Sequence, residues 1–163
     1  MPISPTMTPV PVQYTTADIS DIGLIQPLWD QLNAHHHANA RAFREVYSGW
    51  TFDDRKQYFE KLAERGLIRI DLARDPATGR YIAYCVSSLS PDLDGEIESV
   101  FVEERNRSAG IGSELVSRAL AWLREGHAQR IRVSVADGNE EAFAFYRKFG
   151  FFHRMTVLEQ RKD

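Results

Sequence analysis

The 163-residue chain carries 20 Lys and Arg against 23 Asp and Glu, for a formal net charge of -3, with 43% hydrophobic residues and one cysteine. That length suits one domain with a sizeable core. The charge balance argues against a nucleic-acid binder, which shows a basic footprint, and one cysteine leaves no intramolecular disulfide or Cys-rich zinc site.

No apolar run reaches the ~20 residues of a membrane span. The N-terminus lacks the basic-then-apolar order of a signal peptide, so a cytoplasmic location is expected. Four of the seven prolines, Pro2, Pro5, Pro9 and Pro11, fall early in the chain. They mark 1–11 as an extended, poorly ordered tail before a single domain over 12–163.

In chain order, Val12 to Thr16 reads as a first strand. Asp18 opens a helical stretch through Leu24, Leu28, Trp29 and Leu32, with Pro27 as a kink or restart. Phe43 to Ser48 is a short helical candidate. Thr51-Phe52-Asp53-Asp54 caps a helix running to about Arg65. Leu67 to Arg74 and Arg80 to Leu89 are strands joined by the turn Asp75-Pro76-Ala77-Thr78-Gly79. The second of them holds Cys85, read as a small buried hydrophobe.

Glu96 to Glu103 is the next strand. Leu115, Ala119, Trp122 and Leu123 mark a helix over about Gly110 to Arg124. Arg130 to Val135 alternates apolar and polar residues, as a half-buried strand does. Ala142, Phe143, Tyr146 and Phe149 form another helical stripe ended by Gly150, and Phe151 to Leu158 is expected as a closing strand. The predicted order is β-α-α-β-β-β-α-β-α-β. His35-His36-His37 does not read as a metal site, because neighbours on a helix point about 100° apart; no metal is expected.

The most informative stretch is Val100-Phe101-Val102-Glu103-Glu104-Arg105-Asn106-Arg107-Ser108-Ala109-Gly110-Ile111-Gly112-Ser113. It is a strand entering the turn Arg107-x-x-Gly110-x-Gly112 and then a helix. Glycines there let successive N–H groups share one concavity. The first N–H groups of a helix lack carbonyl partners and carry partial positive charge, so the turn suits a pyrophosphate. No Lys follows Gly112, which excludes a P-loop, and Leu115 stands where a dinucleotide fingerprint needs Gly or Ala.

With its Arg, two glycines and preceding strand, this segment resembles motif A of the GNAT superfamily of N-acetyltransferases. Asn139-Glu140-Glu141-Ala142-Phe143-Ala144-Phe145-Tyr146-Arg147-Lys148-Phe149-Gly150-Phe151 resembles the family's motif B, and Ile97 to Val102 its fourth strand. The resemblance spans roughly residues 12 to 159. It implies an α/β (α+β) GNAT fold: a central mixed, mostly antiparallel sheet with splayed fourth and fifth strands, flanked by helices.

It further implies acetyl-CoA as co-substrate. Val100, Phe101 and Val102 would line the pantetheine arm. Arg107, Ser108, Ala109, Gly110, Ile111, Gly112 and Ser113 would hold the pyrophosphate, with Asn139, Tyr146 and Lys148 along the rest of the cofactor. The implied activity is acetyl transfer to a primary amine by direct attack through a tetrahedral intermediate. A backbone N–H near Val100 would hold the oxyanion.

Such an amine, of pKa ~10.4, is almost wholly protonated at pH 7, and freeing its lone pair costs about 4.6 kcal/mol. A carboxylate can take that proton directly or through water. Glu98 is the candidate base; Glu96 shares its strand parity and stays open as base or substrate contact. Tyr146 matches the family's general-acid tyrosine. Since a thiol of pKa ~8.5 is the stronger acid, full transfer from an ordinary phenol is uphill by ~2 kcal/mol.

His35, Tyr47 and Trp50 are candidate substrate contacts, because the family's first helices border the acceptor site. Asp92, Asp94, Glu96, Glu98, Glu103 and Glu104 would favour a cationic acceptor if several face the cleft; otherwise they form a solvated acidic surface. The acceptor is left open between a small molecule and a peptide. Neither a nucleic acid nor a membrane is expected as partner, and a homodimer is compatible with the sequence. The alternative to an enzyme is a non-catalytic acyl-CoA-binding sensor.

Overall fold

The computed structural model describes residues 11–162; apart from Pro11, the expected tail lies outside them. Strand β1 (Gln13–Ala17) is followed by a 3-10 helix (Ile19–Ile25), then by α1 (Gln26–Asn39), α2 (Arg44–Gly49) and α3 (Phe52–Arg65). Next come β2 (Leu67–Arg74), β3 (Tyr81–Leu89) and β4 (Asp94–Val102), a short 3-10 turn (Glu104–Asn106), α4 (Ile111–Glu125), β5 (Arg130–Val133) and α5 (Glu141–Arg147).

The strands form one sheet in the order β1-β2-β3-β4-β5. β1 to β4 pair antiparallel, whereas β4 and β5 run parallel. This is the mixed, mostly antiparallel sheet flanked by helices that the family resemblance implies.

Local chemistry accounts for the ends of several elements. Asp18 accepts the Ser20 N–H at 2.8 Å, capping the 3-10 helix, and Pro27 sits in the first turn of α1, where a missing N–H costs nothing. Thr51 and Asp54 form a reciprocal capping box at α3: Thr51 Oγ1 accepts from the Asp54 N–H, and Asp54 Oδ2 from the Thr51 N–H.

Strand alternation builds two buried layers. Ile70, Leu72, Tyr84 and Val86 meet α1, α3 and the 3-10 helix through Ile22, Leu28 and Phe59. Their neighbours Ala73, Ala83 and Cys85 meet α4 through Leu115, Ala119 and Leu123. The helical stripe of α4 therefore closes one face of the sheet, and each fully buried leucine in it contributes about 1.5–3 kcal/mol. Cys85 is buried, and burial pushes its thiol pKa up. It is core material, as its apolar run suggests.

Two expectations need correction. β5 ends at Val133 rather than Val135, because β4 has parted from it by then. The predicted closing strand, Phe151 to Leu158, does not form: the segment pairs with no described strand. Phe151 is held by its N–H to the Tyr146 carbonyl at 3.2 Å, but Phe152, Met155, Val157 and Leu158 are exposed. β-Propensity expresses fit to a pleated, half-buried surface, and this segment lies mostly in solvent instead. Among the described residues, no helix is long and apolar enough to cross a membrane.

Candidate active site

The parallel ladder between β4 and β5 covers only Asp94–Ile97 against Arg130–Val133, although β4 continues to Val102. The two strands therefore splay, leaving the outer edge of β4 beyond Ile97 without a strand partner. A cleft of ≈ 340 Å³ opens there, between Glu98, Ser99 and Val100 on one side and Ser134, Val135 and Ala136 on the other. Val100 and Tyr146 approach it from the α4 layer. Trp29, His36, Tyr47 and Trp50 approach from α1, α2 and the segment before α3.

β4 is also irregular on its other edge. Val86 pairs with Ser99 and Ser87 with Ile97, so Glu98 is an extra, bulged residue. The bulge reverses the strand's parity. Ile97 belongs to the α4 layer, whereas Ser99 bonds Tyr84 and Phe101 packs in the opposite layer. Glu98 thus shares a face with Ser99 and is aimed at α3 beside the splay, as bulges near functional sites do.

The Glu98 carboxylate is held from both sides. Oε1 accepts the Ser88 hydroxyl at 2.6 Å, and Oε2 accepts the Tyr58 hydroxyl at 3.1 Å. A carboxylate offers about four acceptor positions, so two remain for a group in the cleft. Burial and the nearby Glu98 push the Tyr58 phenol up to about 12, which keeps it a donor. Arg55 donates to the Glu98 carbonyl at 2.8 Å, with its guanidinium over the rings of Phe59 and Tyr58 at 4.5 and 4.9 Å. Glu96 is half-buried and faces Arg132 across the ladder. Burial and the neighbouring Glu98 raise its pKa, but it does not line the cleft.

At the other end of β4, the turn before α4 is built from backbone. Ser108 and Gly110 both have positive φ, +66° and +80°, which swings the chain into the helix. Among the described residues, no backbone or side-chain acceptor takes the N–H groups of Ser108 through Ser113; the first bond of α4 is Glu114 N–H to the Gly110 carbonyl at 3.0 Å. A row of free donors at a helix N-terminus is a site for an anionic group.

Arg107 braces this turn. Its Nε donates to the Val102 carbonyl at 3.0 Å, and the guanidinium lies 5.4 Å from the Phe101 ring centre. Phe145 packs beside Gly112, and the Lys148 ammonium sits 4.9 Å from the centre of the Phe145 ring.

The Tyr146 ring packs between Phe145 and Phe151, at 5.1 and 5.7 Å. Burial pushes its phenol pKa up, and no side-chain hydrogen bond contributes. His36 lies 5.3 Å from the Tyr47 ring, and its buried Nδ1 has no hydrogen-bond partner among the described residues. Burial, with His35 and Arg55 nearby, lowers its pKa to about 4, so the ring is neutral at physiological pH.

Of the residues singled out in sequence, the cleft gathers Glu98, Val100, Asn139, Tyr146, Tyr47 and Trp50. Val102 packs beside Gly112, while Phe101 is buried in the other layer. His35 does not line the cleft: its carbonyl accepts Asn39 Nδ2 at 2.8 Å, and its neighbour His36 takes the inward position.

The acidic run disperses. Asp94 pairs with Arg130, Glu103 is buried with Arg80, and only Glu98 among the six lines the cleft. Arg55, Trp29 and His36 are cleft residues that the sequence did not disclose. Helical spacing from Leu32 is compatible with either His35 or His36, so it carried no signal that picks out His36. Among the described residues, no group of three or more His, Cys, Asp or Glu could hold a metal ion.

Known proteins share this architecture. A putative acetyl transferase from Pyrococcus furiosus superposes with a TM-score of 0.67 at 20% identity, over 92% of this chain and 100% of the other. The aminoglycoside 6'-N-acetyltransferase AAC(6')-Ih from Acinetobacter baumannii gives 0.66 at 17%, over 94% and 99%. The aminoglycoside N-acetyltransferase AAC(6')-Iy in complex with CoA gives 0.66 at 15%, over 93% and 94%. At these identities the likeness establishes the fold. The family model for the acetyltransferase (GNAT) family matches residues 31–151, and with the splayed sheet and the donor-lined turn it shows that this chain belongs to the GNAT acetyltransferase family.

Proposed function

We propose that the protein transfers the acetyl group of acetyl-CoA to a primary amine by direct attack, with both substrates meeting in the splay between β4 and β5. The observation that carries this reading is one continuous path. The free N–H row of Ser108–Ser113 leads along the unpaired edge of β4 to a carboxylate held ready at Glu98.

The residues present fit the coenzyme. The turn offers backbone donors to a pyrophosphate, Lys148 adds a cation, and the bare edge at Val100 can pair with an extended amide-bearing arm as an added strand would. Bound acetyl-CoA supplies the activated acyl group. The CoA complex of AAC(6')-Iy supports this assignment by fold likeness.

Glu98 takes the ammonium proton, directly or through a water, while Ser88 and Tyr58 hold its two oxygens in place. Glu96, two residues earlier on β4, stays off the cleft lining, and burial and the Glu98 charge raise its pKa. Tyr146 presents a neutral phenol whose pKa is raised by burial. It therefore acts by donating a hydrogen bond to the departing sulfur rather than by surrendering its proton, because the leaving thiol is the stronger acid.

The test is CoA release from acetyl-CoA over a panel of amines, peptides and an acceptor-free blank, with product identified by mass. Release above the blank together with acetylated amine supports the reading. Saturable CoA binding without product from any acceptor overturns it and leaves a sensor.

A further inference from the structure

We propose that the acceptor end of the cleft selects a monoamine carried on an aromatic or apolar body, and that His36 is a specificity-determining residue that meets a polar group of that body through Nδ1. This rests on the acetyl-transfer reading of the same cleft and names the class of acceptor.

The charge inventory decides against polycations. The cleft lining carries one carboxylate, Glu98, and one guanidinium, Arg55. Arg55 is held over Phe59 and Tyr58 and cannot move away without losing those contacts and its bond to the Glu98 carbonyl. One ammonium is matched by Glu98. A second or third, as in a polyamine or an aminoglycoside, would meet a fixed like charge and no second carboxylate on the lining.

The walls decide for an aromatic or apolar body. Trp29 is buried, and Trp50 is 46% exposed at the mouth. Tyr47 stands between His36 and Trp50, with ring centres 5.3 and 6.5 Å away. Leu32 and Val46 complete this side. Asn33 Nδ2 donates to the Tyr47 carbonyl at 2.7 Å, tying the short helix α2 to α1 so that the aromatic wall is preformed. Aromatic faces hold apolar surface and attract an ammonium at their π-face.

Within this wall the Nδ1 of His36 is buried without a partner. An orphaned polar atom in a residue of the cleft wall costs free energy unless a ligand group reaches and satisfies it. A body bearing a hydroxyl or amide would do so, in whichever tautomer the pairing requires.

The test is calorimetric binding of phenylethylamine, its ring-hydroxylated analogue tyramine, spermidine and kanamycin to the full chain, alone and with CoA, alongside acetylation assays of each. The expected result is at least about tenfold tighter binding of the two aromatic monoamines than of either polycation. Tyramine should lose its advantage over phenylethylamine in His36→Leu and regain it in His36→Asn, which returns a polar atom near Nδ1. Trp50→Ala, at an exposed position, should weaken both monoamines at least about fivefold without lowering the thermal midpoint.

Tight aromatic binding without acetylation would sustain this inference and sink the acetyl-transfer reading. Acetylation with spermidine or kanamycin bound as tightly as the monoamines, or more tightly, would do the reverse. Equal tyramine binding in wild type, His36→Leu and His36→Asn would remove His36 from the proposal.

Discussion

The two ends of the cleft are made of different material. The turn before α4 presents backbone N–H groups from one short run of sequence, Ser108–Ser113, and its side chains take little part; Arg107 even folds back onto Phe101 and the Val102 carbonyl. The acceptor end presents side chains from α1, α2, α3 and β4, which meet only after the chain has folded. A backbone site tolerates side-chain change but not a change of φ. A side-chain site has the opposite sensitivities.

The sharpest break of this contrast is at Glu98. Glu98→Gln should lower kcat/KM for the amine by about 100-fold near neutral pH. The deficit should shrink as pH approaches the ammonium's own pKa of ~10.4, where the amine sheds its proton unaided. The thermal midpoint should barely move, because the Gln amide oxygen can still accept from one of the two hydroxyls while its NH2 donates to the oxygen of the other. A pH-independent deficit would make Glu98 structural, and no deficit would return the base to Glu96.

At the backbone end, Gly110 has φ +80° and no neighbour within 4 Å of an added Cβ. Gly110→Val should therefore cost about 1–2 kcal/mol in backbone strain alone and weaken CoA binding at least about tenfold by misaligning the donor row. Stability by denaturant titration and CoA affinity by calorimetry would measure the two effects separately. Full-strength CoA binding in this variant would mean that the turn is not the anion site.

Protonation of His36 should have a smaller effect, at the acceptor end only. Its pKa is near 4 when folded against an ordinary 6.5. Between those values the unfolded chain binds more protons, so stability falls as pH drops through this window. The loss is on the order of 1–2 kcal/mol after allowance for solvent screening. Unfolding free energies from denaturant titrations at pH 7 and pH 4.5 should differ by this amount more in wild type than in His36→Leu; identical pH slopes would contradict it. Smallest of all, Ser113→Ala should change CoA affinity by less than about twofold, since only its N–H is offered.

What could be read in advance follows the same division. β2 lies where alternation places it, and the Thr51 cap starts α3 as its residue types require. The turn of motif A is legible because one contiguous run supplies its donors. The bulge at Glu98 was not legible: strict period-two reading gives Glu96 and Glu98 the same face but carries the wrong parity into Ser99. Nor could sequence choose between His35 and His36, since that depends on how α1 is rotated against the sheet through Leu28 and Trp29. Phe151–Leu158 shows the converse failure, in which a strand-like run stays unpaired and largely exposed.

By itself the sequence determined most of the elements, the layered core and the glycine turn before α4, because these arise from contacts among residues near in the chain or from repeating patterns of burial. Only the tertiary structure decided which single acid lines the cleft, which histidine turns inward and that Arg55 stands beside them. Those choices depend on β4 parting from β5, on a one-residue bulge and on the packing of three helices over one face. None of these is encoded at any single position.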